Sequence, residues 1–135
     1  MNIKDIVIHC AATENFVDYT AEDVHSWHKQ RGWDGIGYHY VIRLDGTVEN
    51  GRPEYWQGAH VSGYNKNTIG IMLVGNDAFT DAQIDSLEEL VRELLSRYPD
   101  ADVSGHNEHD DGKTCPNFNA SEWWESTKKK VSNFQ

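Results

Sequence analysis

Seven histidines and two cysteines are the residues in this 135-residue sequence best suited to bind or activate something. Three of them could share a site. His9 closes the β-branched run Ile6-Val7-Ile8, His106 follows a short stretch around Val103, and Cys115 comes eight intervening residues later, in a loop stiffened by Pro116. A catalytic zinc takes three nitrogen, sulfur or oxygen ligands from the protein and keeps a fourth position open, and strand ends with an adjoining loop can supply that arrangement. Alternation along the strand separates the cysteines: if His9 faces the site, Cys10 faces away, which leaves Cys115 as the sulfur. For two cysteines in a cytosolically made chain, metal binding, catalysis or plain burial comes before a disulfide. Each residue alone also has an ordinary reading, a hydrogen-bonded structural histidine or a small buried cysteine, so spacing by itself leaves metal and burial evenly matched.

The elements that must position these residues are legible. Ile6 to His9 suits a buried strand. Thr20 with Asp23 three residues on marks a helix start, with Val24, Trp27 and His28 on one face and Gly32 past its end. Tyr38 to Leu44 alternates as a strand that places Tyr38 and Tyr40 on one face, and Asp45-Gly46 is a hairpin signal returning through Thr47-Val48-Glu49. Ile69 to Val74 is apolar on both faces and reads as a central strand, in which Gly70 marks the close approach of another group. Thr80 and Gln83 form a capping box, followed by the stripe Ile84, Leu87, Val91, Leu94 and Leu95, with Glu88–Arg92 and Glu93–Arg97 paired on the solvent side. Pro99 ends that helix, and a last helix carries Trp123, Trp124 and Val131. Strands interleaved with helices, without repeat or linker, predict one α/β domain over residues 1–135, a central mixed sheet flanked by helices.

Composition narrows the function. Twelve basic against twenty-two acidic residues give a net charge of -10, which argues against nucleic acid as a partner. No apolar run approaches the roughly 18 residues of a membrane span, so membrane insertion is not expected. The first ten residues carry a lysine and an aspartate and show no cleavage site, from which no secretory signal is expected. There is no G-x-S-x-G elbow, phosphate loop or H-E-x-x-H helix, which removes the usual support for serine-hydrolase, NTPase and zincin chemistry.

Several segments together resemble the zinc N-acetylmuramoyl-L-alanine amidases: Ile6-Val7-Ile8-His9-Cys10-Ala11-Ala12-Thr13, Trp27-His28-Lys29 with Gly32-Trp33, and Gly37-Tyr38-His39-Tyr40-Val41-Ile42. The resemblance continues through Asp45-Gly46-Thr47-Val48-Glu49, Gly58-Ala59-His60 with Gly63-Tyr64-Asn65, Asn67-Thr68-Ile69-Gly70-Ile71 and Lys113-Thr114-Cys115-Pro116-Asn117-Phe118. It is nearest to the amidase-type phage lysozymes and more distant from the peptidoglycan-recognition proteins. It implies a mixed sheet packed with helices, one Zn²⁺ in a surface cleft, and hydrolysis of the amide between the lactyl group of N-acetylmuramic acid and L-alanine. By position it implies His9, His106 and Cys115 as zinc ligands and Tyr38 and Lys113 as the catalytic pair. The loop between His106 and Cys115 is one residue longer than the family pattern, which makes His109 a competitor to His106.

Lys113 would add positive charge beside the oxyanion, and Tyr38 would orient water or hydrogen-bond the tetrahedral intermediate. His60, in a Gly-rich loop, is assigned to substrate contact. His25 and His28 read as helix packing, and Lys128-Lys129-Lys130 as a helix end. The expected protein is a monomeric endolysin acting on bacterial peptidoglycan, made in the host cytoplasm and reaching the wall once the membrane is breached. Its rivals are a cytosolic muropeptide-recycling amidase, a non-catalytic peptidoglycan-binding module and, more weakly, a glycosidase with paired carboxylates.

Overall fold

The structure is a computed structural model that describes residues 2–130. Five strands form one mixed sheet in the order β3-β2-β4-β1-β5. β1 (Asp5–Cys10) and β4 (Thr68–Leu73) are buried along their whole length, as apolar runs flanked by strands on both sides must be. β1 pairs in parallel with β4 and with β5 (Asp102–Gly105). β2 (Tyr40–Ile42) runs parallel to β4 and antiparallel to β3 (Val48–Asn50), which returns through the Asp45-Gly46 turn. Gly46 has φ +89, the left-handed conformation such a turn demands.

Helices cover both faces. α2 (Asp81–Arg97) starts at the Thr80–Gln83 capping box and lays Leu87, Leu90, Val91 and Leu94 against Ile6, Ile8, Ile69 and Ile71. Each such side chain removed from water contributes about 1.5–3 kcal/mol. Gln83 rather than Ile84 is the buried residue of its first turn, because its side-chain amide donates to the carbonyls of Val74 (2.9 Å) and Ile42 (3.3 Å), where β2 and β4 end. α3 (Ala120–Thr127) packs Trp124 on the same face, while the expected Val131 lies outside the described residues. α1 (Ala21–Gln30), capped by Thr20 and Asp23, covers the other face with Val24 against Val41, Met72 and Val74.

One element differs from expectation. The strand begins at Tyr40, two residues later than the alternation suggests. Period-two alternation therefore does not extend to Tyr38: Tyr38 packs on the α1 side and Tyr40 on the α2 side, where its hydroxyl donates to Glu54. Among the described residues no helix is long and apolar enough to cross a membrane.

Candidate active site

Parallel sheets present ligand sites near the carboxyl ends of their strands, and His9 and His106 meet at the ends of β1 and β5. His9 is the penultimate residue of β1 and projects to the α1 side, opposite Ile8. His106 is the first residue after β5 and opens a single 3-10 turn, His106–Glu108. The Nδ1 atoms of the two rings face each other at 3.0 Å across 97 residues of sequence. Tyr38 lies edge-on to His9, with ring centroids 5.0 Å apart. Tyr38, His60, His106 and Lys113 line one cleft of about 320 Å³, together with His28, Arg31 and Trp33. A larger hollow of about 470 Å³ beside α1 is lined by none of these groups.

Burial sets the charge state of the site. It holds His9 well below the ordinary histidine range, helped by the neighbouring His60 and His106, and takes His60 down to about 3. His106 is lowered as well, by burial first, with Asp110 acting against and Lys113 acting with it. At neutral pH the imidazoles are uncharged electron-pair donors, the form in which histidine ligates metal. Burial also pushes the Tyr38 hydroxyl up to about 12, so it keeps its proton and can donate.

Two of the three expected metal donors fit a zinc ion. Ligand nitrogens at about 2.0–2.1 Å on a tetrahedral ion stand roughly 3.3 Å apart, close to the His9–His106 separation. The sulfur does not fit in this form: Cys115 is joined to Cys10 in a disulfide with Cα atoms 5.3 Å apart. This corrects the expectation that facing away keeps Cys10 out of the site. Cys10 is the last residue of β1, and the 113–117 segment crosses that strand end, bringing the Cys115 sulfur to 3.5 Å from the Cys10 carbonyl. Among the described residues no three His, Cys, Asp or Glu side chains are jointly free to hold a metal ion. Reduction to two thiols would return Cys115 to the donor set.

His60, expected at the substrate, is buried behind His9 with both ring nitrogens engaged: Nδ1 is 2.8 Å from His9 Nε2 and Nε2 is 3.0 Å from the Thr68 hydroxyl. Gly70 explains its position, since a Cβ there would lie 2.7 Å from the His60 ring. Thr68 was not legible as part of the site, because nothing local distinguishes it from any polar residue opening a strand. His109, the competitor, points elsewhere. Its Nε2 is 2.7 Å from Ser104 Oγ and 3.4 Å from Asp5, and its ring stacks on Tyr64. His25 and His28 accept backbone amide hydrogens from Ile36 and Gly37, the packing role expected of them.

Comparison with known proteins places the chain in a family. Residues 1–118 match the family model described as N-acetylmuramoyl-L-alanine amidase. The chain is 43% identical over 128 residues to an endolysin of Escherichia phage T7, covering 89% of this chain and 84% of that protein. It superposes on N-acetylmuramoyl-L-alanine amidase LysC from Clostridium intestinale with TM-score 0.83 and 37% identity, covering 97% and 86% of the two chains. A solved complex of tracheal cytotoxin with the peptidoglycan recognition proteins LCa and LCx matches at TM-score 0.76 and 28% identity, covering 84% of this chain and 75% of that one.

Proposed function

Since this chain belongs to the N-acetylmuramoyl-L-alanine amidase family, we propose that its cleft hydrolyses the amide joining the lactyl group of N-acetylmuramic acid to L-alanine in bacterial peptidoglycan, as an endolysin does. The observation that carries the reading is the meeting of Tyr38, His106 and Lys113 on one cleft, with the buried His9 directly behind it, its Nδ1 3.0 Å from that of His106 and its ring edge-on to Tyr38. A glycosidase would need paired carboxylates flanking the cleft, and among the described residues Asp110 is the single carboxylate in its lining.

His9 and His106, with Cys115 in its thiol form, are the residues that would hold Zn²⁺. Bound zinc supplies Lewis acidity, polarising a carbonyl and lowering the pKa of water to about 7. The protein's own groups do the rest. The Tyr38 hydroxyl, protonated throughout the working pH range, donates to the oxygen on which charge develops. Lys113, exposed at the rim, brings a cation to the same region. Arg31 and Trp33 in the same lining give the muramoyl-peptide a cationic and an aromatic contact in a chain whose net charge is -10. The protein acts as a monomer, without nucleic acid, and meets its polymer in the wall after the inner membrane is breached.

Sacculi treated with the reduced, zinc-loaded protein are expected to lose turbidity and release peptides with new amino termini. New reducing sugar ends without new amino termini would falsify the amidase reading.

A further inference from the structure

We propose that Thr68 and His60 are positioning residues that fix the tautomer of His9, leaving its Nδ1 as the bare electron pair that faces His106. The inference rests on the reading of His9 as a metal ligand and supplies what that reading lacks, a reason for Nδ1 rather than Nε2 to be the donor. The direction of the chain follows from what each group can donate. The Thr68 hydroxyl has one proton and lies 2.9 Å from the carbonyl oxygen of Asn65 and 3.2 Å from that of Tyr64, both of which can only accept. With its proton spent there, Thr68 Oγ1 must accept from His60 Nε2, 3.0 Å away. A neutral imidazole protonated on Nε2 has a bare Nδ1, so His60 Nδ1 accepts from His9 Nε2 at 2.8 Å. His9 then carries its proton on Nε2, and its Nδ1 points at His106 Nδ1.

Two features make the chain a built device. All three side chains are buried, at 2% exposure for Thr68, 8% for His60 and none for His9, so water does not compete for these protons. Gly70, opposite Val7 in the central strand pair, leaves the space through which the His60 ring reaches His9. Metal-binding histidines are commonly oriented by a partner on the far nitrogen, and loss of that partner weakens metal binding roughly 10–100-fold. Here the partner is a second histidine, which can accept only because Thr68 sets its own tautomer.

The direct test is nitrogen-15 NMR of the histidine rings in metal-free, reduced protein. The expected spectrum has His9 and His60 each protonated on Nε2; a proton on His9 Nδ1 overturns the proposal regardless of any metal. The second arm titrates zinc against a competing chelator in three proteins. His60→Leu is expected to weaken binding roughly 10–100-fold, and His60→Gln, whose amide oxygen can accept from His9 while its NH₂ donates to Thr68, to recover most of it. Wild-type affinity in His60→Leu, or equal loss in Leu and Gln variants of unchanged melting temperature, overturns it. Absence of zinc binding by the reduced wild type would instead remove the metal reading and leave the NMR result to decide the tautomer.

Discussion

Gly70 and His60 occupy one volume that only a glycine can share: a Cβ on residue 70 would fall 2.7 Å from the imidazole Cγ and 2.8 Å from its Nδ1. Gly70→Ala must therefore displace the ring in the middle of the central strand pair. Overpacking of this kind costs about 1–3 kcal/mol. The expected result is a lower urea midpoint together with weaker zinc binding, because the displaced group is the one bonded to His9. A variant with unchanged zinc affinity would show that His60 can move without consequence for the site.

The disulfide between Cys10 and Cys115 sets two quantities against each other. It closes a loop of sequence separation 105, which in the chain-entropy account stabilises the fold by about 4–5 kcal/mol. It also occupies the sulfur a metal would need. Oxidised protein is therefore expected to resist denaturant better and to take up little zinc, and reductant should reverse both. Cys10→Ser should bind zinc without reductant, and Cys115→Ser should bind weakly in either condition. Metal analysis beside thiol titration checks this; full zinc occupancy in protein with no free thiol would contradict it.

Tyr38 and Lys113 are expected to affect turnover and not metal content. Tyr38→Phe and Lys113→Ala should each lower kcat by a factor on the order of 10²–10³, the usual effect of losing one group that stabilises developing charge, with zinc stoichiometry preserved. The Tyr38 hydroxyl is pushed up to about 12 by burial, so no limb of the pH–rate profile below pH 10 should disappear in Tyr38→Phe.

His106 and His109 separate cleanly in the fold. His106→Ala should lose zinc, since its Nδ1 is the partner of His9 Nδ1. His109→Ala should keep zinc and lower stability, since that ring joins Ser104, Asp5 and Tyr64 on the far side of the loop. The reverse pattern in metal analysis would exchange their roles.

A pH effect on stability is expected at Asp18. Hydrogen bonding to the Arg43 guanidinium holds its carboxyl below the usual value of 3.8. A carboxylate with a depressed folded pKa stabilises above its unfolded pKa and loses that contribution as pH falls through the folded one. Asp18→Asn should thus unfold at slightly lower urea at pH 7, and the difference should shrink as pH is taken below 3.8. A constant difference across that range would assign the effect to packing.

Local pattern accounts for much of this protein. The Thr20 and Thr80 caps, the Asp45-Gly46 turn, the buried runs of β1 and β4 and the close approach at Gly70 are all encoded within a few residues, where propensity and hydrogen bonding act directly. The residues at positions 9, 106 and 115 are donor types that suggest a metal from sequence alone, whereas Tyr38 and Lys113 stand out only through the family resemblance. What sequence could not determine is which atoms meet. Tyr38 changes face because β2 starts at Tyr40, and that start depends on pairing with β3 and β4. His60 joins His9 across 51 residues, and Cys10 joins Cys115 across 105. Those meetings follow from the strand order β3-β2-β4-β1-β5, which brings the ends of β1, β4 and β5 to one edge. Periodicity specifies which face of a strand is buried; only packing of the whole sheet specifies what lies across from it.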